Sequence, residues 1–117
     1  MKKLRARFKL WLNCGHIEGA FGDGKWRLLE AIDREGSLQA ASSSLHISYR
    51  KAWGDLNKAQ QALGVALVAK HRGGRSGGRT VLTADGRKWL RAYTAFRREI
   101  EAAVAAALEK YFGESAR

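Results

Sequence analysis

Ser48, Tyr49, Arg50 and Lys51, with Lys58 two turns further on, bring a hydroxyl, a phenol and three cations into one short stretch. Such side chains hydrogen-bond to anionic oxygens and to the acceptor edges of bases, and a guanidinium fits the paired acceptors of a guanine edge. At 100° per residue Arg50, Lys51, Gly54, Lys58 and Gln61 share one side of a helix, while Tyr49, Ala52, Trp53, Leu56 and Leu63 share the other. The cations would therefore face outward together. Asp55 stands at the edge of that face, where it would repel phosphate, so pairing with Lys51 or Lys58 across one turn is expected. A solvated helix surface is the plainer reading of the same residues.

A second cationic cluster lies between His71 and Arg79. Arg72, Arg75 and Arg79 alternate there with glycines at 73, 74, 77 and 78, and no acid intervenes. Glycine lets a backbone approach a sugar-phosphate surface without side-chain obstruction; a solvated hairpin is again the bland alternative. A nucleotide-phosphate cradle is excluded by spacing, since neither G-x-G-x-x-G nor G-x-x-x-x-G-K-[ST] occurs and no helix opens at the loop's end. Catalysis has little to work with. Cys14, His71 and Asp85 are far apart in sequence, and a single cysteine with three scattered histidines makes neither a disulfide nor a zinc cluster. Cys14 is read as a small residue near a strand end, and neither cofactor nor metal is expected.

The elements that must position these residues follow from local signals. Ser37 can cap a short helix carrying Leu38, Ala41 and Leu45, Ile47 can plug a turn, and Ser48 can cap the helix that bears the cations. Ala41 permits a close helix–helix approach. Leu28, Leu29 and Ile32 predict a preceding helix from about Lys25 to Glu35, stopped by Gly36. Upstream, Leu4, Ala6, Phe8, Leu10 and Leu12 alternate with Arg5, Arg7, Lys9 and Trp11 and predict a strand whose other face is cationic, Asn13–His16 a turn, Ile17–Phe21 a return strand, and Gly22–Gly24 a break with Asp23 as helix cap. Val65–Lys70 and Thr80–Leu82 read as two strands flanking the glycine-rich loop. Together, two helices joined by a tight turn and followed by a β-wing make a winged helix-turn-helix.

Thr83 and Asp85 open a last helix predicted over Ala84–Phe112, about 43 Å long at 1.5 Å per residue. Its apolar stripe runs through Trp89, Leu90, Tyr93, Phe96, Ile100, Val104 and Leu108 to Phe112, beside an alanine-rich run. One small domain cannot cover all of it. The same helix of a second subunit would, leaving Phe96, Ile100, Val104 and Leu108 at a dimer interface while Trp89 and Tyr93 stay in the core. A helix packed wholly on its own domain is the alternative.

The whole sequence of 117 residues, 45% apolar, suffices for one domain: 1–24 an N-terminal strand or hairpin, 25–63 the first helix and helix-turn-helix, 65–82 the wing, 83–112 the long helix. The expected class is mainly α with small β-hairpins. With 22 Lys and Arg against 11 Asp and Glu, a net charge of +11 calls for a polyanionic partner, with double-stranded DNA first. No apolar run approaches a spanning helix, and the Met-Lys-Lys start lacks a signal sequence, so a cytoplasmic chain without membrane partners is expected.

The chain resembles the winged-helix domain of molybdate-responsive regulators of the ModE type and, more distantly, the N-terminal domain of LysR-type regulators. The resemblance is carried by Ile47-Ser-Tyr-Arg-Lys-Ala-Trp53, by Gly73-Gly-Arg-Ser-Gly-Gly78 and by Val81-Leu-Thr-Ala-Asp-Gly86, in order after Gly36-Ser37. It implies a dimeric prokaryotic transcription factor without catalytic function, with the Ser48 helix in the major groove, the wing against the DNA backbone or minor groove and the long helix at the dimer interface. The family commonly has Gly where His46 stands, so a positive φ or a relaxed turn is expected at His46. Full-length regulators of this type continue into molybdate-binding domains, whereas this sequence reaches only Arg117, so a stand-alone DNA-binding domain is expected. Other classes consistent with the charge and fold are an architectural DNA- or RNA-binding protein and a protein-interaction module, the latter hinted at only by Asp55.

Overall fold

The structure, a computed structural model, describes residues 2–71 and 78–113. Elements follow in the order β1 (Trp11–Cys14), β2 (Ile17–Gly22), α1 (Asp23–Glu35), α2 (Leu38–Ser44), α3 (Tyr49–Leu63), β3 (Val68–His71), β4 (Arg79–Leu82) and α4 (Ala84–Phe112). β1 pairs antiparallel with β2, and β3 with β4.

The strand predicted from Leu4 is shorter than its pattern. Trp11 lies opposite Gly22, where β2 ends and α1 begins, so no strand remains for earlier residues to pair with. Residues 2–10 carry no regular structure. Phe8 and Leu10 are half-buried through contacts with helices instead: the Arg97 guanidinium lies 4.6 Å from the Phe8 ring centre, and Leu10 packs on the core. Cys14 ends β1, exposed.

Asp23 also departs from expectation. Gly22 takes the cap position and Asp23 is the first helical residue, its carboxylate turned toward α4. Arg97 donates from Nε to Asp23 Oδ1 at 2.8 Å and from Nη2 to Oδ2 at 3.0 Å, the Tyr93 hydroxyl donates to Oδ1 at 2.8 Å, and the Leu10 N–H donates to Oδ2 at 3.1 Å. The Asp23 N–H returns a bond to the Leu10 carbonyl at 3.0 Å. Arg97 is further held between the rings of Phe8 and Trp26 and by Glu101 at 2.7 Å. One ion pair thus joins the N-terminal segment, α1 and α4.

The helix-turn-helix forms where the caps predict. Gly36 is left-handed at φ 78°, and Ser37 Oγ accepts the Ala40 N–H at 3.0 Å. His46 adopts φ 58°, so the turn keeps its geometry at a non-glycine residue. The Ile47 N–H bonds the Ser42 carbonyl at 3.0 Å, and Ser48 Oγ caps α3 by accepting the Lys51 N–H at 3.0 Å. Ala41 and Ala52 are fully buried, which is what allows α2 and α3 to approach closely. The core joins Phe21, Leu28, Leu29, Ile32, Leu56 and Leu67 with Tyr93 of α4.

Hydrogen bonds to α3 and to the end of α1 tie the wing to this unit. Gln60 Oε1 on α3 accepts the Leu67 N–H at 2.9 Å, and the Thr80 N–H reaches the Gly36 carbonyl at 3.1 Å. α4 then starts against the segment just ahead of β3: Thr83 Oγ1 donates to the Ala66 carbonyl at 2.6 Å and accepts the Gly86 N–H at 2.9 Å. Gly86 is buried so tightly that a Cβ there would come within 2.0 Å of the Leu67 carbonyl oxygen.

Candidate nucleic-acid interface

α3 divides its surface between core and solvent. Ala52, Leu56 and Ala59 are fully buried, and Trp53 and Leu63 pack partly against the core. Ser48, Arg50, Lys51, Gly54, Lys58 and Gln61 are all exposed. Tyr49, expected on the inward side, is 44% exposed and lies outside the core cluster. It starts the helix beyond the end of α2, and its ring meets Trp53 edge-on at 6.4 Å.

Asp55 resolves as the sequence suggests. Lys51 Nζ sits 3.1 Å from Asp55 Oδ2, one turn away, so the acid is neutralised within the face. Among the described residues Arg50 and Lys58 have no hydrogen-bond or ion-pair partner, and both are exposed. Lys70, at the base of the wing, lies 4.4 Å over the Trp53 ring and holds the hairpin against α3. Arg79 begins β4, exposed, opposite His71. Arg72 and Arg75 lie outside the described residues.

Along α4, Phe96 is 44% exposed and Phe112 59%, with Ile100, Val104 and Leu108 partly exposed between them. Tyr93 is buried and Trp89 partly so, as their place in the stripe implies. Sequence reasoning did not place three contributors to the basic surface. Lys25 on α1 donates to the Gly19 carbonyl at 2.9 Å, and burial lowers its ammonium pKa, with Asp55 opposing and Lys58 and Lys51 reinforcing that shift. Arg7 and Lys9 lie with it beside α3. The run of cations from Lys2 to Lys9, free of acids, was the available signal, but read as one face of a strand it gave no location.

Residues 24–87, covering α1 to the first turn of α4, match the family described as bacterial regulatory helix-turn-helix protein, lysR family. The chain belongs to that family. Its members are DNA-binding regulators, not enzymes. The molybdenum transport protein ModE of Azotobacter vinelandii is 39% identical over 85 residues, which are 73% of this chain and 32% of that protein. The chain thus spans about a third of that relative's length. Among solved structures, the fold is shared with a BenM DBD/benA site 1 DNA complex at TM-score 0.60 and 19% identity, covering 78% of this chain and 97% of that one. A CbnR DBD–DNA complex matches at TM-score 0.53 and 25% identity, over 72% of this chain and 95% of that one. Among the described residues of this LysR-type chain, no helix is long and apolar enough to cross a membrane.

Proposed function

We propose that this chain is a sequence-specific transcriptional regulator that reads double-stranded DNA as a homodimer. The observation that carries the reading is the outward face of α3, where Arg50 and Lys58 stand exposed behind the Ser48 cap, unpaired among the described residues, while the opposite face is locked into the core. In this reading the first turn of α3, with Ser48, Tyr49 and Arg50, enters the major groove. Lys51 and Lys58 meet phosphates, and the wing, with Arg79 and with Arg72 and Arg75 by sequence, lies along the backbone or minor groove. Phe96, Ile100, Val104 and Leu108 form the intersubunit seam, because a stripe of that length on one helix finds no cover within its own domain. The name of the Azotobacter relative and its 39% identity favour genes of molybdate or metal supply as targets. The Lys51–Asp55 pair removes the hint toward a protein-interaction module.

Selection of bound duplexes from a random pool at physiological salt tests the reading. A two-fold symmetric consensus is the expected result; uniform retention of all sequences would establish an architectural protein, and no retention would end the DNA reading. Transcript profiles of a strain lacking the gene, grown with and without molybdate, test the choice of targets.

A further inference from the structure

A groove of about 770 Å³ runs between residues 7–11, the start of α1 and the outward side of α3. Arg7 and Lys9 line one wall, Lys25 and Arg27 the α1 side, and Lys51 the α3 side. The two acids that border it are both engaged: Asp23 by Arg97, and Asp55 by Lys51 at 3.1 Å. Phe8 under the Arg97 guanidinium and Leu10 bonded to Asp23 fix the N-terminal segment, so Arg7 and Lys9, both exposed, are held in place rather than trailing. From Lys2 to Lys9 the sequence has five cations and no acid. Like charges gathered this closely repel one another in the free protein, and a polyanion relieves that repulsion while releasing its own counterions.

We propose that this groove carries the sugar-phosphate backbone of DNA flanking the segment read by α3, with Arg7 and Lys9 as phosphate contacts. The proposal rests on the DNA reading above, and it extends the interface beyond the matched family segment, which starts at residue 24. Continuity is the geometric reason. Lys51 belongs to both the groove and the outward face of α3, so a duplex seated on α3 brings its next phosphates to the groove's mouth. These contacts add affinity and footprint length without base preference.

The test uses the full chain and its selected duplex in two lengths, trimmed to the consensus or extended by about ten base pairs, one helical turn, on each side. Arg7→Ala with Lys9→Ala should reduce the slope of log K against log salt on the long duplex by up to about 1.8, so that the wild type loses about tenfold more affinity than the variant between 50 and 200 mM salt. On the trimmed duplex the two proteins should run together, and the consensus should not change. Hydroxyl-radical footprints of the variant should lose protection in the flanks alone. Arg27→Ala, on the opposite wall, should likewise act on the long duplex alone, with a slope change of up to about 0.9. Parallel salt lines on the long duplex, or an equal loss on both lengths, overturn the groove as a backbone track while the wild type's selected consensus leaves the DNA reading standing. Failure of the wild type to select any duplex overturns both.

Discussion

Asp23 shows how one carboxylate can decide where three segments meet. The bidentate Arg97 guanidinium, with the Tyr93 hydroxyl and the Leu10 amide, outweighs burial and holds its pKa at about 2, below its usual 3.8. A depressed folded-state pKa contributes stability that is complete above the unfolded value and lost as pH falls through the folded one. The window therefore runs from about pH 4 down to about pH 2. With both side chains nearly buried, the linked contribution is about 2 kcal/mol. Asp23→Asn, which leaves Arg97 without its main partner, should cost about 3 kcal/mol at neutral pH, and the gap from wild type should narrow as the solution is acidified. Urea melts across pH 2–7 check it; a gap that widens toward low pH would contradict the assignment. At the same scale, Arg50→Ala should cost about 1–3 kcal/mol on the preferred duplex and relax one base position, if the guanidinium reads a guanine edge. Competition binding against single-base variants of the duplex decides it, and unchanged preference would remove Arg50 from the reading set.

Among elements, two glycines on helices have opposite roles. Gly86 lets the first turn of α4 seat on the Leu67 carbonyl, where a Cβ would come within 2.0 Å of the oxygen. Gly86→Ala must push α4 away from Leu67, just ahead of β3, and should lose about 1–3 kcal/mol. Gly54, in the middle of α3, meets nothing within 4 Å. Gly54→Ala should therefore stabilise the free protein by about 0.5–1 kcal/mol through helix propensity. Thermal melts of the two variants should move in opposite directions; a shared direction would mean that one of the two surroundings is misjudged. The caps at Ser37, Ser48 and Thr83 and the stop at Gly36 were legible in sequence because each is settled within four residues. The start of the N-terminal strand was not, because it depends on where β2 gives way to α1. Tyr49 was misassigned for a similar reason: helical periodicity gives its angle, but only the length of α2 determines whether anything covers it. Arg97 gave no local signal at all, since its partner lies 74 residues away.

At the scale of the molecule, α4 sets the shape. The radius of gyration is 17.1 Å, against roughly 13 Å expected for a compact domain of this size, and the longest extent is 56 Å. The far half of α4 stands clear of the core and carries Ile100, Val104 and Leu108 on one stripe. Ile100→Glu with Val104→Glu should leave a folded protein, since neither residue belongs to the core cluster, but one that sediments as a monomer and binds a palindromic duplex far more weakly. Sedimentation at tens of micromolar checks this, and a monomeric wild type would refute the seam.

The tie between Asp23 and Arg97 also bears on the order in which the chain folds. Contacts among α1, α2 and α3 lie within residues 23–63, so they close short loops and can form early. The ion pair closes a separation of 74 residues and needs α4 already in place. Its loss should therefore fall on the unfolding rate: Asp23→Asn should unfold tens to hundreds of times faster at neutral pH while refolding at nearly the wild-type rate. Stopped-flow folding measurements separate the two limbs, and a comparable slowing of refolding would show that the ends of the chain meet before the helix-turn-helix is complete.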